Sequence, residues 1–173
     1  MALQIAHDDT EALRRFAYEA LPNECCGLLL GRRSDGRVER VEPADNITEG
    51  DARRSYQIDW KTLLRASREA HRGGREIVGF YHSHPDGSTR PSRQDAVSAW
   101  VDHVYVIIGL TAETAPRLSA WRIPPGSSAG ASPSRTANGS AGAPASPRDE
   151  RSRGRADRRG AVAAFEPVTI HAR

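Results

Sequence analysis

The chain has 173 residues, of which 38% are hydrophobic and 6% aromatic, and its formal net charge at pH 7 is +3. The length fits one domain, and no apolar run approaches the ~20 residues that cross a bilayer, so we expect no membrane-spanning segment. The first residues also lack the basic and apolar pattern of a secretory signal, which favours a soluble cytoplasmic protein.

The segment 124–160 differs in composition from the rest of the chain. Its 37 residues include 7 Ser, 7 Ala, 7 Arg, 6 Gly and 5 Pro, and none is Val, Ile, Leu, Met, Phe, Tyr or Trp. Such a segment cannot bury enough apolar surface to offset the entropy of ordering, so we predict a disordered insertion. Residues 1–123 and 161–173 then form the folded domain.

The basic charge of the chain belongs to this insertion. It contains 7 Arg and 3 acidic residues, whereas the remainder contains 18 basic and 19 acidic residues. Because the insertion also lacks the aromatic side chains on which nucleic-acid bases stack, nucleic acid is not an expected partner.

Hydrophobic periodicity and turn residues predict three helices and seven strands. In chain order they are a helix at 7–21, strands at 25–31, 37–41 and 55–58, a helix at 60–71, a strand at 77–84, a helix at 92–100, and strands at 104–110, 118–123 and 163–171. This mixture predicts an α/β domain with a mixed sheet flanked by helices.

The only two cysteines, Cys25 and Cys26, are adjacent in the chain. Adjacent cysteines do not build a disulfide framework. Because they fall in an apolar run, we interpret them as small buried side chains rather than as nucleophiles.

The segment 81–95, with the sequence YHSHPDGSTRPSRQD, carries the candidate chemistry. Side chains two residues apart on a strand point to the same face, so His82 and His84 are predicted to lie side by side. Asp95 falls in the first turn of the next predicted helix and is a candidate third ligand. Two histidines and one carboxylate leave a fourth tetrahedral position open, which is typical of catalytic zinc; iron and manganese stay open as alternatives.

The same residues have a simpler interpretation. Two histidines on a strand can be polar side chains without a metal, and Ser92 with Asp95 has the spacing of a helix capping box. The capping box leaves the histidines beside a Pro- and Gly-rich turn unexplained. The combined spacing therefore favours a metal site.

Two separated motifs resemble the JAMM (MPN+) metalloprotease family. His82-x-His84, ten further residues and Asp95, with Ser92 three positions before the aspartate, is similar to the family motif His-x-His-x10-Asp. The stretch 22–31, PNECCGLLLG, resembles the strand on which the family carries a glutamate. The resemblance covers about residues 10–123, resumes at about residue 163, and implies the JAMM/MPN fold, an architecture similar to that of cytidine deaminases.

The resemblance also implies roles for individual residues. His82, His84 and Asp95 would bind Zn²⁺. Glu24 would act as general base and later pass its proton to the leaving amine. Ser92 would donate its hydroxyl to the oxyanion.

The chain is similar to the small bacterial branch of the family, which acts on ubiquitin-like sulfur-carrier proteins with a Gly-Gly C-terminus. The resemblance implies hydrolysis of the amide after that Gly-Gly and release of an amino acid such as cysteine. Residues 53–58, which include the predicted strand at 55–58, are a candidate sheet edge for binding the extended Gly-Gly tail of the carrier.

Three other functions are considered. A non-catalytic MPN-type scaffold would lack the five site residues, all of which are present. An isopeptidase acting on another ubiquitin-like conjugate would use the same residues. A zinc deaminase requires His-x-Glu and a later Pro-Cys-x-x-Cys, and neither occurs in the sequence.

Overall fold

A computed structural model of the protein describes residues 2–124 and 165–172. Apart from Pro124, the predicted insertion at 124–160 lies outside the described residues, as do 161–164 of the predicted domain. Within the described part, no helix is long and apolar enough to cross a membrane.

The described residues form three helices and seven strands. They are β1 (Ala2–Ile5), α1 (His7–Ala20), β2 (Cys26–Arg32), β3 (Arg37–Ala44), α2 (Trp60–Arg72), β4 (Glu76–His84), α3 (Arg93–Ser98), β5 (Val104–Gly109), β6 (Arg117–Arg122) and β7 (Glu166–Ala172).

The strands form one mixed sheet in the order β1-β3-β2-β4-β5-β6-β7, which closes into a barrel through parallel pairing of β7 with β1. The central strand β4 is antiparallel to β2 and parallel to β5. The last two strands, β6 and β7, are antiparallel neighbours.

Two apolar clusters pack on the sheet, and each contains residues of a different helix. Leu13 and Ala17 of α1 belong to one cluster, and Ala66 and Ala70 of α2 belong to the other, which also contains Phe80 of β4. Strand β2 is buried along six of its seven residues because both faces are covered, as is usual for a central strand. The predicted α/β class, a mixed sheet flanked by helices, is therefore confirmed.

The prediction of a strand at 55–58 is wrong, and with it the candidate edge at 53–58. The residues there form an irregular loop whose backbone bonds to other loop residues: Ile47 N–H donates to Gln57 O at 2.9 Å. The structure contains instead the strand β1, which is four residues long and therefore too short for its period to be read from the sequence.

Candidate metal centre

The end of β4 carries the two histidines. His82 and His84 alternate with Ser83 along the strand, so both side chains lie on one face, and His82 is completely buried. Their Nε2 atoms lie 3.0 Å apart. The strand ends here because Gly87, with φ of 83°, turns the chain, and its N–H donates to His84 O at 3.1 Å.

The first turn of α3 brings Asp95 to the same place. Ser92 is the N-cap residue, and its Oγ accepts from Asp95 N–H at 3.1 Å, while Asp95 Oδ2 accepts from Ser92 N–H at 2.6 Å. The capping box that the sequence offered as an alternative is thus present together with the histidine cluster. It holds the Asp95 carboxylate, only 8% exposed, against the two rings.

The spacing of the three side chains fits a single metal ion. Asp95 Oδ1 lies 3.3 Å from His82 Nε2, and Oδ2 lies 3.5 Å from His84 Nε2. One candidate ligand atom from each residue lies within 4.8 Å of the others. In a tetrahedral site with bonds of about 2.0–2.1 Å, neighbouring ligand atoms are about 3.3 Å apart. The cluster therefore matches the size of such a site.

The protonation states of these three side chains decide whether they can bind a cation. His84 Nδ1 lies 3.2 Å from Ser88 O, an acceptor, so Nδ1 donates and Nε2 is the ring nitrogen that faces the cluster. Burial lowers the pKa of His84, but the hydrogen bond with Asp95 and the charge of that carboxylate outweigh burial and raise it, so a metal that binds here would displace the Nε2 proton. Burial lowers the pKa of His82, which favours the neutral ring. Burial alone would raise the pKa of Asp95, but hydrogen bonds with His82 and His84 hold it well below its usual range. A neutral imidazole and an ionised carboxylate are the forms that bind metals.

Glu24, two residues before β2, lies opposite His84 of the neighbouring strand β4. In the β2–β4 pair, Cys26 is opposite His82, and reciprocal bonds between Cys25 and Ser83 extend the pairing by one residue: Ser83 N–H donates to Cys25 O at 3.1 Å, and Cys25 N–H to Ser83 Oγ at 2.8 Å. The next residues in this register are Glu24 and His84. Pairing of β2 with β4 thus brings together motifs that are distant in the sequence.

The Glu24 carboxyl group is suited to exchange a proton near neutral pH. Its side chain is buried, with 5% of the residue exposed. Burial raises its pKa to about 7, against a smaller lowering by the charge of His84. A group with a pKa near the working pH can both accept and return a proton.

Ser92 is exposed and lines a cavity of about 820 Å³ together with Glu24 and His84. Its capping bond uses an oxygen lone pair, because Asp95 N–H is the donor. The hydroxyl hydrogen therefore stays available for a bond into the cavity.

Asn46 contributes to the site and was not identified from the sequence. Its Nδ2 donates to Glu24 O at 3.2 Å and to Ser55 O at 3.0 Å, and its Oδ1 accepts from the N–H groups of Thr48 at 3.2 Å and Gln57 at 3.1 Å. The one side chain joins the backbone of Glu24 to the loop 45–58. An isolated asparagine after a strand carries no distinctive sequence signal.

Tyr56, also in this loop, stacks on the ring of His82 with 4.6 Å between ring centroids and 24° between ring planes. Tyr56 falls in the segment 55–58 that its sequence predicts as a strand, and no pattern in that segment indicates this contact. The stacking leaves His82 Nδ1 buried and, among the described residues, without a hydrogen-bond partner.

Comparison with known families gives one match that contains the whole centre. Residues 7–124 match the family described as prokaryotic homologs of the JAB domain.

Three curated relatives are similar to the chain over most of their own length. The desampylase of Haloferax volcanii is 31% identical over 110 residues, which is 61% of this chain and 78% of the relative. The probable TtuB-protein conjugate cleaving protease of Thermus thermophilus is 34% identical over 63% of this chain and 71% of the relative. The CysO-cysteine peptidase of Mycobacterium tuberculosis is 30% identical over 70% and 82%, respectively.

Two solved structures share the fold. The solution structure of protein DSY2949 from Desulfitobacterium hafniense has a TM-score of 0.69 and 23% identity and covers 99% of this chain and 92% of that protein. The solution structure of a Salinibacter ruber protein has a TM-score of 0.53 and 33% identity, covering 71% and 82%.

Proposed function

The chain belongs to the prokaryotic JAB-domain family of hydrolases, and from this premise we propose that it is a zinc-dependent peptidase of ubiquitin-like sulfur-carrier proteins. It hydrolyses the amide bond after the carrier's Gly-Gly C-terminus and releases an amino acid such as cysteine. The observation that carries this proposal is the convergence of His82, His84 and Asp95 within the dimensions of one tetrahedral site.

Each site residue has a role in the proposed reaction. His82, His84 and Asp95 would hold a zinc ion, which would supply Lewis acidity to the substrate carbonyl and lower the pKa of water. The Glu24 carboxylate accepts the proton of the attacking water and returns it to the leaving amine. The Ser92 hydroxyl donates a hydrogen bond to the carbonyl oxygen as negative charge develops there.

The substrate class is supported by the relatives. Similarity to a CysO-cysteine peptidase favours release of cysteine from a carrier. Cys25 and Cys26 are free thiols, in keeping with the reducing cytoplasm, where we propose that the enzyme acts.

A second candidate is an isopeptidase that removes a ubiquitin-like protein from a conjugate. It is favoured by similarity to a desampylase and to a conjugate cleaving protease. The non-catalytic scaffold is disfavoured because a buried Glu24 with a pKa near 7 beside the ligand cluster serves no evident structural purpose.

Intact-mass spectrometry of a carrier–cysteine adduct tests the proposal. Zinc-loaded protein is expected to release cysteine, a chelator to stop release, and Glu24→Gln to retain zinc while losing about 10²–10⁴ in rate. Glu49→Gln, at an exposed loop position, is the matched control and should behave as the natural chain. An unchanged adduct mass with zinc present would contradict the assignment, whereas cleavage of only a carrier–lysine isopeptide would favour the second candidate.

A further inference from the structure

Two cavities lie on either side of the ligand cluster. His84 lines the cavity of about 820 Å³, and Asp95 lines another of about 710 Å³. Arg54 borders both. A substrate that extends past this cluster can therefore occupy both cavities.

The two cavities differ in chemistry. The smaller one is bordered by aromatic and aliphatic side chains, among them Phe80, Trp100 and Leu63. The larger one, hereafter the charged cavity, contains Glu24 and Ser92. Because Glu24 returns a proton to the leaving amine, the proposed mechanism puts the residue that leaves beside Glu24, in the charged cavity.

Two charged side chains of this cavity already have hydrogen-bond partners. Arg53 is held by Asp51, with Nε and Nη2 at 3.0 Å and 3.3 Å from the carboxylate oxygens. Asp86 Oδ1 accepts from Ser88 N–H at 2.9 Å.

The side chains of Arg54 and Arg90 also line the charged cavity. Both residues are exposed, and within residues 2–124 and 165–172 neither guanidinium makes a hydrogen bond or ion pair. Two guanidinium groups beside the position of the leaving residue form a site for an anion.

We propose that Arg54 and Arg90 bind the α-carboxylate of the leaving amino acid, an inference that rests on the proposed function. Guanidinium groups bind carboxylates through paired charge-assisted hydrogen bonds. An amino acid joined through its α-amine to the carrier has a free α-carboxylate next to the scissile bond. A lysine within a protein chain has none at that position. The charged cavity therefore selects carrier–amino-acid adducts over isopeptide conjugates.

The reaction balances without a further reactant. The bond between the Gly carbonyl carbon and the leaving nitrogen breaks, and the water oxygen bonds to that carbon. One water proton passes through Glu24 to the nitrogen. The second water proton leaves the new carboxyl group when that group ionises. The products are the carrier with a C-terminal carboxylate and the free amino acid, whose own carboxylate is unchanged and stays on the arginines until release.

Matched substrates test this inference: a carrier–cysteine adduct and the same adduct with cysteinamide, which lacks only the negative charge. Zinc-loaded protein is expected to prefer the free acid by about 10- to 100-fold in kcat/KM, the range of one or two charge-assisted hydrogen bonds. The double variant Arg54→Gln/Arg90→Gln should reduce this preference to less than about threefold, because hydrolysis of the free acid slows much more than hydrolysis of the amide. Arg68→Gln, at an exposed position of α2, is the control and should retain the full preference.

Equal rates for the two substrates in the natural chain overturn the carboxylate site and leave the proposed function intact. Equal losses for both substrates in the arginine variant also overturn it, because they indicate a general effect. If the zinc-loaded protein cleaves neither adduct, the proposed function fails and this inference fails with it. Loss of zinc or of the folding transition in the arginine variant would likewise contradict a role confined to the leaving residue.

Discussion

The β4–α3 side of the site and the side formed by the loop 45–58 are held in different ways. His82, His84 and Asp95 are positioned by strand pairing and a helix cap, both of which are regular backbone features. The loop is positioned by side-chain hydrogen bonds, and Asn46 takes part in four of them, two as donor and two as acceptor. We therefore expect that substitutions in the loop can reduce turnover without releasing a metal. Substitutions of His82, His84 or Asp95 should release the metal as well as reduce turnover.

The largest effect is expected from His84→Ala. Removing one of three protein ligands should abolish zinc retention after gel filtration and reduce carrier hydrolysis below detection. The measurement is elemental analysis together with intact-mass turnover. His71→Ala, at an exposed position near the end of α2, is the control. Stoichiometric zinc in the His84 variant would show that the ligand set is incorrectly assigned.

Ser92→Gly separates the two roles of this residue. Loss of the hydroxyl should lower kcat by about 10²–10³. Replacing a capping serine with glycine costs only a few tenths of a kcal/mol, so α3 and zinc binding should be retained. Steady-state kinetics and zinc content decide the outcome, and a kcat within about threefold of the natural chain would remove Ser92 from the mechanism.

Glu24→Gln should stabilise the metal-free protein at alkaline pH. The folded pKa of about 7 lies above the ordinary value of 4.5, so the stabilisation by protonated Glu24 is lost as pH rises from 4.5 through 7. Since one pKa unit corresponds to about 1.4 kcal/mol, the variant should be more stable by about 3 kcal/mol at pH 8.

The difference in unfolding free energy should fall below about 1 kcal/mol at pH 5. Urea unfolding at the two pH values measures it, with Glu49→Gln as the exposed control. A stabilisation by Glu24→Gln that is the same at both pH values would mean that titration of Glu24 is not its cause.

Asn46→Ala should weaken the loop side of the site. It leaves several backbone groups of the loop without their partner, which costs about 1–3 kcal/mol. Zinc content should be unchanged while kcat falls, because Glu24 and Tyr56 lose their common support. Asn23→Ala, at an exposed position, is the control in urea unfolding and kinetics. Loss of zinc in the Asn46 variant would contradict the separation of the two sides.

Local sequence patterns predicted how the residues on the β4–α3 side are placed. The same-face placement of His82 and His84 follows from the two-residue period of a strand, and Ser92 with Asp95 was recognised as a possible cap. The loop side could not be predicted in the same way. Tyr56 lies in a segment whose composition resembles a strand, but its backbone groups bond to Asn46 and to the loop itself rather than to a neighbouring strand.

The sequence by itself determined the α/β class, most helices and strands, and the residues that form the ligand cluster, because these depend on short-range periodicity and capping. Only the tertiary structure decided that Glu24 lies opposite His84, that Asn46 joins Glu24 to the loop, and that Arg54 and Arg90 border one cavity with Glu24. These relations depend on strand register and on contacts between distant segments, which the pattern of any one segment does not contain.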